Sequence, residues 1–169
     1  TTVSTPIDLK VKSSSVFERI TPEELWACTS CKACDEICPV NIEILDKILD
    51  MRRYLALMAS DFPSELGKAY VAMENSSNPW GASQEDRMKW SEDLDFEVPL
   101  LDEKNKEEID YLYWIGCAGA FDDRNVPVTR AVATLLRRAN VSYAVLGPKE
   151  VCTGDSARRT GNEFVFQQL

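Results

Sequence analysis

Residues 28–39 read Cys28-Thr-Ser-Cys31-Lys-Ala-Cys34-Asp-Glu-Ile-Cys38-Pro39, which is the pattern C-x2-C-x2-C-x3-C-P. Cysteines at this spacing on a tight turn direct their sulfurs into one small space, as in chains that bind a [4Fe–4S] cluster. In two-cluster ferredoxins, the fourth cysteine of such a run ligates the other cluster. The pattern therefore predicts Cys28, Cys31 and Cys34 as ligands of one cubane, with Cys38 as a further ligand, and favours electron transfer as the function.

A structural zinc site and a disulfide framework are the alternatives for these cysteines. Zinc sites usually combine two Cys or His pairs across a longer loop, and the chain contains no histidine at all. Disulfides require an oxidising compartment, and the sequence contains no recognisable secretory signal peptide. Six free cysteines instead favour a reducing, cytoplasmic location.

Composition excludes several classes of function. The 169 residues carry a formal net charge of −9, which argues against a nucleic-acid partner because phosphate binding needs a basic face. No apolar run reaches the roughly 18 residues that a membrane span requires. The absence of histidine removes Ser-His-Asp catalysis and His-bound haem. Because the sequence starts at Thr1 without a methionine, we expect a fragment or a processed chain.

The sequence is predicted to contain four consecutive parts. These are an extended lead-in (1–20), an α-helical ferredoxin-like iron–sulfur domain (21–90), an acidic linker (91–108) with a domain boundary near residue 105, and an α/β domain (109–169).

The first half is predicted to be helical. Thr21, Pro22 and Glu24 have the spacing of a capping box with proline at the first helical position. A further helix is predicted from Asn41 to about Ser60, with a buried stripe formed by Leu45, Ile48, Leu49, Leu55 and Met58. The adjacent Arg52 and Arg53 are interpreted as part of its solvated face. Shorter helices are predicted after Pro63 and over residues 83–90.

The second half has the order strand, helix, strand, helix. Residues 111–115 and 141–145 are predicted to be strands, the first of them buried, and residues 126–139 form the helix between them. A crossover of this kind makes two neighbouring parallel strands.

Cys117 and Cys152 follow these two strands, so we expect both thiols at the same edge of the sheet, where α/β proteins bind ligands. Three interpretations stay open: a shared metal or cluster site, two inert buried thiols, and thiol–disulfide chemistry. Because two ligands cannot hold a cluster unaided, a cluster here would need cysteines from elsewhere.

The cysteine run, together with "GCAGAFDDR" (116–124), "VCTGDSARR" (151–159) and "GNEFVFQQL" (161–169), resembles the heterodisulfide-reductase-related iron–sulfur proteins that carry a CCG domain. The resemblance is strongest to the branch of iron–sulfur electron-transfer-flavoprotein:quinone oxidoreductases. It implies a fold of class α plus α/β, with a helical ferredoxin-like [4Fe–4S] domain followed by a partial cysteine-rich α/β domain with parallel strands. Thr153 stands where relatives often have a second cysteine.

The resemblance also implies cofactor sites and partners. Cys28, Cys31 and Cys34 would hold one cubane, Cys38 would serve a second or close the first, and Cys117 and Cys152 would ligate another iron–sulfur site. The expected function is electron relay between a flavoprotein and membrane quinone, as the iron–sulfur part of an oxidoreductase, at the inner face of the cell membrane. The alternatives are a heterodisulfide-reductase-like subunit acting on disulfides and a non-redox metal-stabilised scaffold. No catalytic residue stands out, so whether the chain is itself an enzyme stays open.

Overall fold

The computed structural model describes residues 15–169, and within them the chain divides into two compact units, one ending at Arg52 and the other running from Arg53 to Leu169. The first part of the predicted lead-in, residues 1–14, lies outside the described residues. The division differs in position from the predicted boundary near residue 105. The reason is that the segment before that boundary supplies core residues to the α/β part: Trp90 and Val98 pack in one cluster with Ala133, Tyr143 and Val145.

In the first unit, the described residues form short helices around the cysteine run. They are a 3-10 turn (Val16–Glu18), α1 (Pro22–Ala27), α2 (Ala33–Glu36) and most of α3 (Ile44–Tyr54). The predicted capping box at the start of α1 is confirmed: Glu24 N–H donates to the Thr21 hydroxyl at 3.3 Å, and Thr21 N–H donates to the Glu24 carboxylate at 2.8 Å. Because these two hydrogen bonds pair the groups at the start of the helix, α1 begins at Pro22. Leu25 of this helix is buried in the unit.

Removing this cap should weaken the first unit measurably. Replacing Thr21 by alanine deletes the hydroxyl acceptor, and N-cap changes of this kind typically cost about 1 kcal/mol. We expect that loss in chemical denaturation of the Thr21→Ala variant, with Thr21→Ser as the control that keeps the acceptor. Equal stability of the alanine and serine variants would contradict a stabilising role for the cap.

The helix from residue 44 follows the predicted stripe only in part. Leu45 and Leu55 are buried, and Ile48 and Leu49 are half-buried, but Met58 is 76% exposed. The prediction for Met58 is wrong because α3 changes at Tyr54 into a π-helical turn (Leu55–Ala59). A π-helical turn has more residues than an α-helical turn, so it rotates later side chains away from the stripe.

The second unit places helices around a small parallel sheet. Its elements are α4 (Ser64–Ser76), a 3-10 helix (Gln84–Ser91), β1 (Tyr111–Leu112), α5 (Gly116–Phe121), α6 (Val126–Arg138), β2 (Tyr143–Ala144), a 3-10 turn (Gly147–Lys149), α7 (Asp155–Arg159) and α8 (Glu163–Gln168).

The strands pair as expected from the crossover. Tyr111 aligns with Tyr143 and Leu112 with Ala144 in parallel register, and α6 connects the two strands. The strands are shorter than predicted, and β1 is not buried, since Tyr111 and Leu112 are 63% and 47% exposed. On the other side of β2, Leu100 forms a parallel bridge with Val145. β2 is therefore central and buried, whereas β1 has a strand neighbour on one side within the described sheet.

Candidate functional site

The predicted cluster ligands of the first unit lie in and around one tight loop. Cys28 ends α1, Cys34 lies in α2, and Cys38 follows α2. Between them Ser30 and Lys32 adopt left-handed backbone conformations, with φ of 58° and 64°. Left-handed residues at alternate positions curl a loop and turn successive N–H groups toward its concave side. This geometry favours negative charge on that side.

Backbone amides donate to sulfur at two positions of this loop. Ser30 N–H donates to Cys28 Sγ at 3.4 Å, and Ile42 N–H donates to Cys38 Sγ at 3.3 Å. The Ala33 amide and then the Thr29 hydroxyl lower the pKa of Cys31. Desolvation and the Asp35 carboxylate beside it raise the pKa of Cys34. Amide–sulfur hydrogen bonds of this kind support thiolate ligands and tune the potential of an iron–sulfur site.

Arg52 holds the same loop from inside the unit. Its side chain is only 3% exposed, so the prediction that it lies on a solvated face is wrong. The guanidinium donates to Leu25 O at 3.1 Å, to Ser30 Oγ at 3.2 Å and to Cys28 O. It also lies over the Trp26 ring, 5.3 Å from the centroid. The planar guanidinium group has several N–H donors in a fixed arrangement, so it can donate to all of these acceptors at once. The single ammonium group of a lysine could not.

The donor set of this loop, four thiols of which two accept hydrogen bonds from backbone amides, fits an iron–sulfur cluster. Within residues 15–169, however, no three His, Cys, Asp or Glu side chains are gathered closely enough to hold a metal ion. The loop therefore carries the chemistry for a cluster, and the ligand roles of Cys28, Cys31, Cys34 and Cys38 stay a prediction.

Cys117 and Cys152 are brought together in the second unit. Cys117 lies in the first turn of α5 and Cys152 just before α7; both are 8% exposed and belong to one apolar cluster with Tyr70, Met73 and Val165. The two residues therefore share one buried cluster, and each thiol influences the pKa of the other. The expectation that the parallel crossover brings them to one place is confirmed, while a ligand role for them stays a prediction.

The pKa of Cys152 is lowered and the pKa of Cys117 is raised. The Cys117 thiol donates to Cys152, and this donation is the largest cause that lowers the pKa of Cys152 and raises the pKa of Cys117. Gly154 N–H also donates to Cys152 Sγ, at 3.4 Å, which lowers the pKa of Cys152 further.

A buried ion pair lies beside the thiols. Arg87 and Glu150 are each 1% exposed and are joined by an Nη1–Oε1 contact of 3.0 Å. Arg87 Nη2 donates to Cys117 Sγ at 3.4 Å. Glu150 accepts from Ile115 N at 3.1 Å and from Gly116 N at 2.7 Å, at the start of the helix that carries Cys117. The pair thus fixes the backbone of α5 and places a positive charge next to the sulfurs.

Sequence reasoning missed Arg87 and Glu150 as functional residues and placed Arg52 wrongly. Arg52 and Arg87 lie in segments rich in other charges, so nothing in their neighbourhood distinguishes them. A weak signal existed for Glu150, which comes two residues before Cys152.

The chain is similar to curated proteins over most of its length. It is 43% identical over 95% of its residues to "Probable iron-sulfur-binding oxidoreductase FadF" of Bacillus subtilis. It is 42% identical over 94% of its residues to "EtfAB:quinone oxidoreductase" of Syntrophomonas wolfei. Over 87% of its residues it is 42% identical to "Probable membrane-anchored ferredoxin" of Chromohalobacter salexigens.

These matches cover only part of each relative. The chain spans 23%, 22% and 21% of their respective lengths. No protein-family model and no solved structure matches the chain. In residues 15–169, no helix has both the length and the apolar character needed to cross a bilayer. By sequence, the chain is related over nearly its whole length to one segment of the iron–sulfur oxidoreductases that include the electron-transfer-flavoprotein:quinone type.

Proposed function

We propose that this chain is an iron–sulfur electron-transfer module that works in an oxidoreductase assembly between a flavoprotein and membrane quinone. The observation that carries the proposal is the C-x2-C-x2-C-x3-C-P loop, whose sulfurs accept hydrogen bonds from the backbone amides of Ser30 and Ile42. The similarity to a protein named EtfAB:quinone oxidoreductase supports the choice of donor and acceptor.

In this proposal Cys28, Cys31 and Cys34 hold one [4Fe–4S] cluster. Cys38 either completes that set or ligates a second cluster. When bound, such a cluster supplies reversible one-electron chemistry near the potentials that flavins and quinones use. The fold of class α plus α/β, with a helical ferredoxin-like domain before a partial cysteine-rich domain, is proposed on the same grounds.

The chain's own residues contribute by holding and polarising the loop. Thr21 and Glu24 fix the start of α1, and Arg52 holds the Cys28 carbonyl at its end. The buried guanidinium donates to the Cys28 carbonyl, so it places a positive charge beside the loop and not in solvent. A nearby positive charge stabilises the more negative, reduced state of a redox site, so Arg52 favours acceptance of an electron.

The proposed setting is the cytoplasmic face of the cell membrane. Free thiols need a reducing compartment, and quinone is reached only at a membrane. One similar protein is named a membrane-anchored ferredoxin, which supports this setting. The net charge of −9 suits a partner with a basic docking face rather than a nucleic acid.

Low-temperature EPR on anaerobically prepared protein tests the proposal. Iron and sulfide are counted on the same sample, before and after reduction with dithionite. About four irons per cluster with a signal on reduction would support a cubane. A silent sample that contains zinc or no metal would exclude the relay function for this chain.

Two serine variants separate the roles of the cysteines. Cys31→Ser should abolish the reduced signal and remove about four irons per chain, because it deletes a ligand of the only complete C-x2-C-x2-C set. Cys38→Ser should have the same effect if Cys38 closes this cubane, and should spare the signal if it serves another cluster. Unchanged iron content in Cys31→Ser would contradict the ligand assignment.

A further inference from the structure

A cavity of about 210 Å³ lies in the second unit, at the edge of the sheet where both strands begin. Ile109 comes just before β1, and Val141 and Ser142 come just before β2; all three line the cavity. Cys117 and Cys152 follow the strands and do not belong to its lining. Sites for drug-sized ligands measure roughly 300–1,000 Å³, so this cavity suits a smaller molecule.

Two opposite charges line this cavity without being neutralised. They are the Arg137 guanidinium and the Glu97 carboxylate. Among residues 15–169, neither group has a hydrogen bond or an ion pair, and they do not form an ion pair with each other. Opposite charges that share a cavity without pairing are complementary to a small molecule that carries both charges.

An aromatic ring restrains Arg137. Its guanidinium carbon lies 5.9 Å from the centroid of Phe96, which also lines the cavity. A cation–π contact of this kind uses none of the N–H donors of the guanidinium. These donors therefore stay available for a carboxylate, to which arginine can donate two parallel hydrogen bonds.

Hydrogen bonds fix the walls of the cavity on two sides. Val145 N–H donates to Pro99 O at 2.9 Å, which ties one wall to the residue that follows β2. Ser142 Oγ donates to Glu108 O at 2.6 Å, which joins the start of β2 to the residues before β1. Because these walls are already in place, a ligand does not have to order a loop when it binds, and this lowers the entropic cost of binding.

We propose that this cavity binds a small zwitterion, an α-amino acid with an apolar side chain. Arg137 binds its carboxylate, and Glu97 binds its ammonium group. The apolar side chain packs against Phe96, Ile109 and Val141, which supply most of the remaining lining. This role goes beyond electron transfer and does not depend on a cluster at either set of cysteines.

The test is an NMR titration of the full chain, prepared anaerobically, with free leucine as the probe. In two-dimensional amide spectra, we expect saturable shifts at residues 96–97, 109 and 141–143. Leucinamide lacks the carboxylate, and N-acetylleucine lacks the ammonium charge. Each of these two analogues should bind about tenfold more weakly than leucine, because it loses one charge-assisted interaction with the protein.

Two variants assign the charges to the two ends of the ligand. Arg137→Gln should weaken leucine binding about tenfold but should not weaken the binding of leucinamide, which has no carboxylate to lose. Glu97→Gln should weaken leucine binding by a similar factor and should not weaken the binding of N-acetylleucine. A general disturbance of the cavity would weaken the binding of all three probes, so this pattern separates ligand contact from a structural role.

Matched controls keep the same charge changes outside the cavity. Arg138→Gln and Asp95→Asn alter exposed residues that do not line it, and both should bind leucine like the parent chain. The amide spectra also show whether each variant is folded.

Three results would overturn the site. One is the absence of saturable shifts at the cavity residues with leucine at any concentration up to its solubility. Another is equal affinity for leucine, leucinamide and N-acetylleucine, which would show that the two charges select nothing. The third is equal affinity for leucine in the folded Arg137→Gln and Arg138→Gln variants.

Discussion

Replacing Glu150 by alanine should lower the free energy of unfolding by roughly 3–5 kcal/mol, the usual effect of removing one partner from a buried ion pair. The carboxylate is 1% exposed and serves Arg87, Ile115 N and Gly116 N together. Its loss leaves a guanidinium and two amides without their acceptor in the interior. For a chain of this size, we expect a fall in Tm on the order of 10 °C.

The measurement is thermal and chemical denaturation of Glu150→Ala beside Glu103→Ala. Glu103 is a matched control because its contact with Lys106, at 2.6 Å, is on the surface, with the Glu103 side chain 89% exposed. Exposed pairs contribute about 0–1 kcal/mol, so this variant should remain close to the parent chain. Similar stabilities for the two variants would show that the buried carboxylate does not stabilise the fold.

A double variant shows how much of the loss in unfolding free energy comes from the unpaired charge and how much from the two backbone amides. Glu150→Leu combined with Arg87→Met removes both charges, so it should be more stable than the Glu150→Leu single variant, which leaves the buried Arg87 charge without its carboxylate. It should still be less stable than the parent, because Ile115 N and Gly116 N lose their acceptor in either case. A double variant less stable than Glu150→Leu would contradict this account.

Replacing Arg52 by methionine should have the second large effect, and it should be confined to the first unit. The guanidinium donates to Leu25 O, Cys28 O and Ser30 Oγ, and hydrogen bonds from charged groups contribute about 1.5–3 kcal/mol each. Methionine fills similar space but donates nothing, so we expect a loss of roughly 3 kcal/mol or more in local stability. Iron content should fall with it, because the Cys28 end of the loop is no longer held.

Hydrogen exchange over residues 22–38 and iron counting measure these two effects separately. Arg53→Met is the matched control on the adjacent residue, whose side chain is 39% exposed and lies 3.6 Å from Glu163. It should change protection of residues 22–38 little and leave iron content unchanged. Full protection and full iron in Arg52→Met would contradict the role of Arg52 in holding the loop.

Local features were predicted from the sequence because their causes lie within one helical turn or one crossover. The capping box at Thr21 and Glu24 depends on residues three apart, and it occurs as predicted. The parallel pairing of β1 and β2 follows from a strand–helix–strand order, and it brings Cys117 and Cys152 into one buried cluster. The names of similar proteins support an iron–sulfur function, whereas the ligand roles of the cysteine run stay a prediction.

The placement of charged side chains was decided by the tertiary structure. Arg52 reaches acceptors that are 22 to 27 residues away in the chain, and Arg87 reaches Glu150 across 63 residues. No periodicity within a helix encodes such a partner, so a buried arginine and a solvated one look alike in sequence. Burial of Val98 and the division at Arg52 likewise depend on contacts between distant segments.

The sequence by itself thus determined the cap of α1, the parallel crossover and the placing of Cys117 and Cys152 in one cluster, because these follow from spacing along the backbone. The tertiary structure alone decided which cations stand beside the sulfurs. The physical reason is that a charged side chain is stable in the interior only next to an opposite charge or hydrogen-bond partners. The fold brings those partners together from distant parts of the chain.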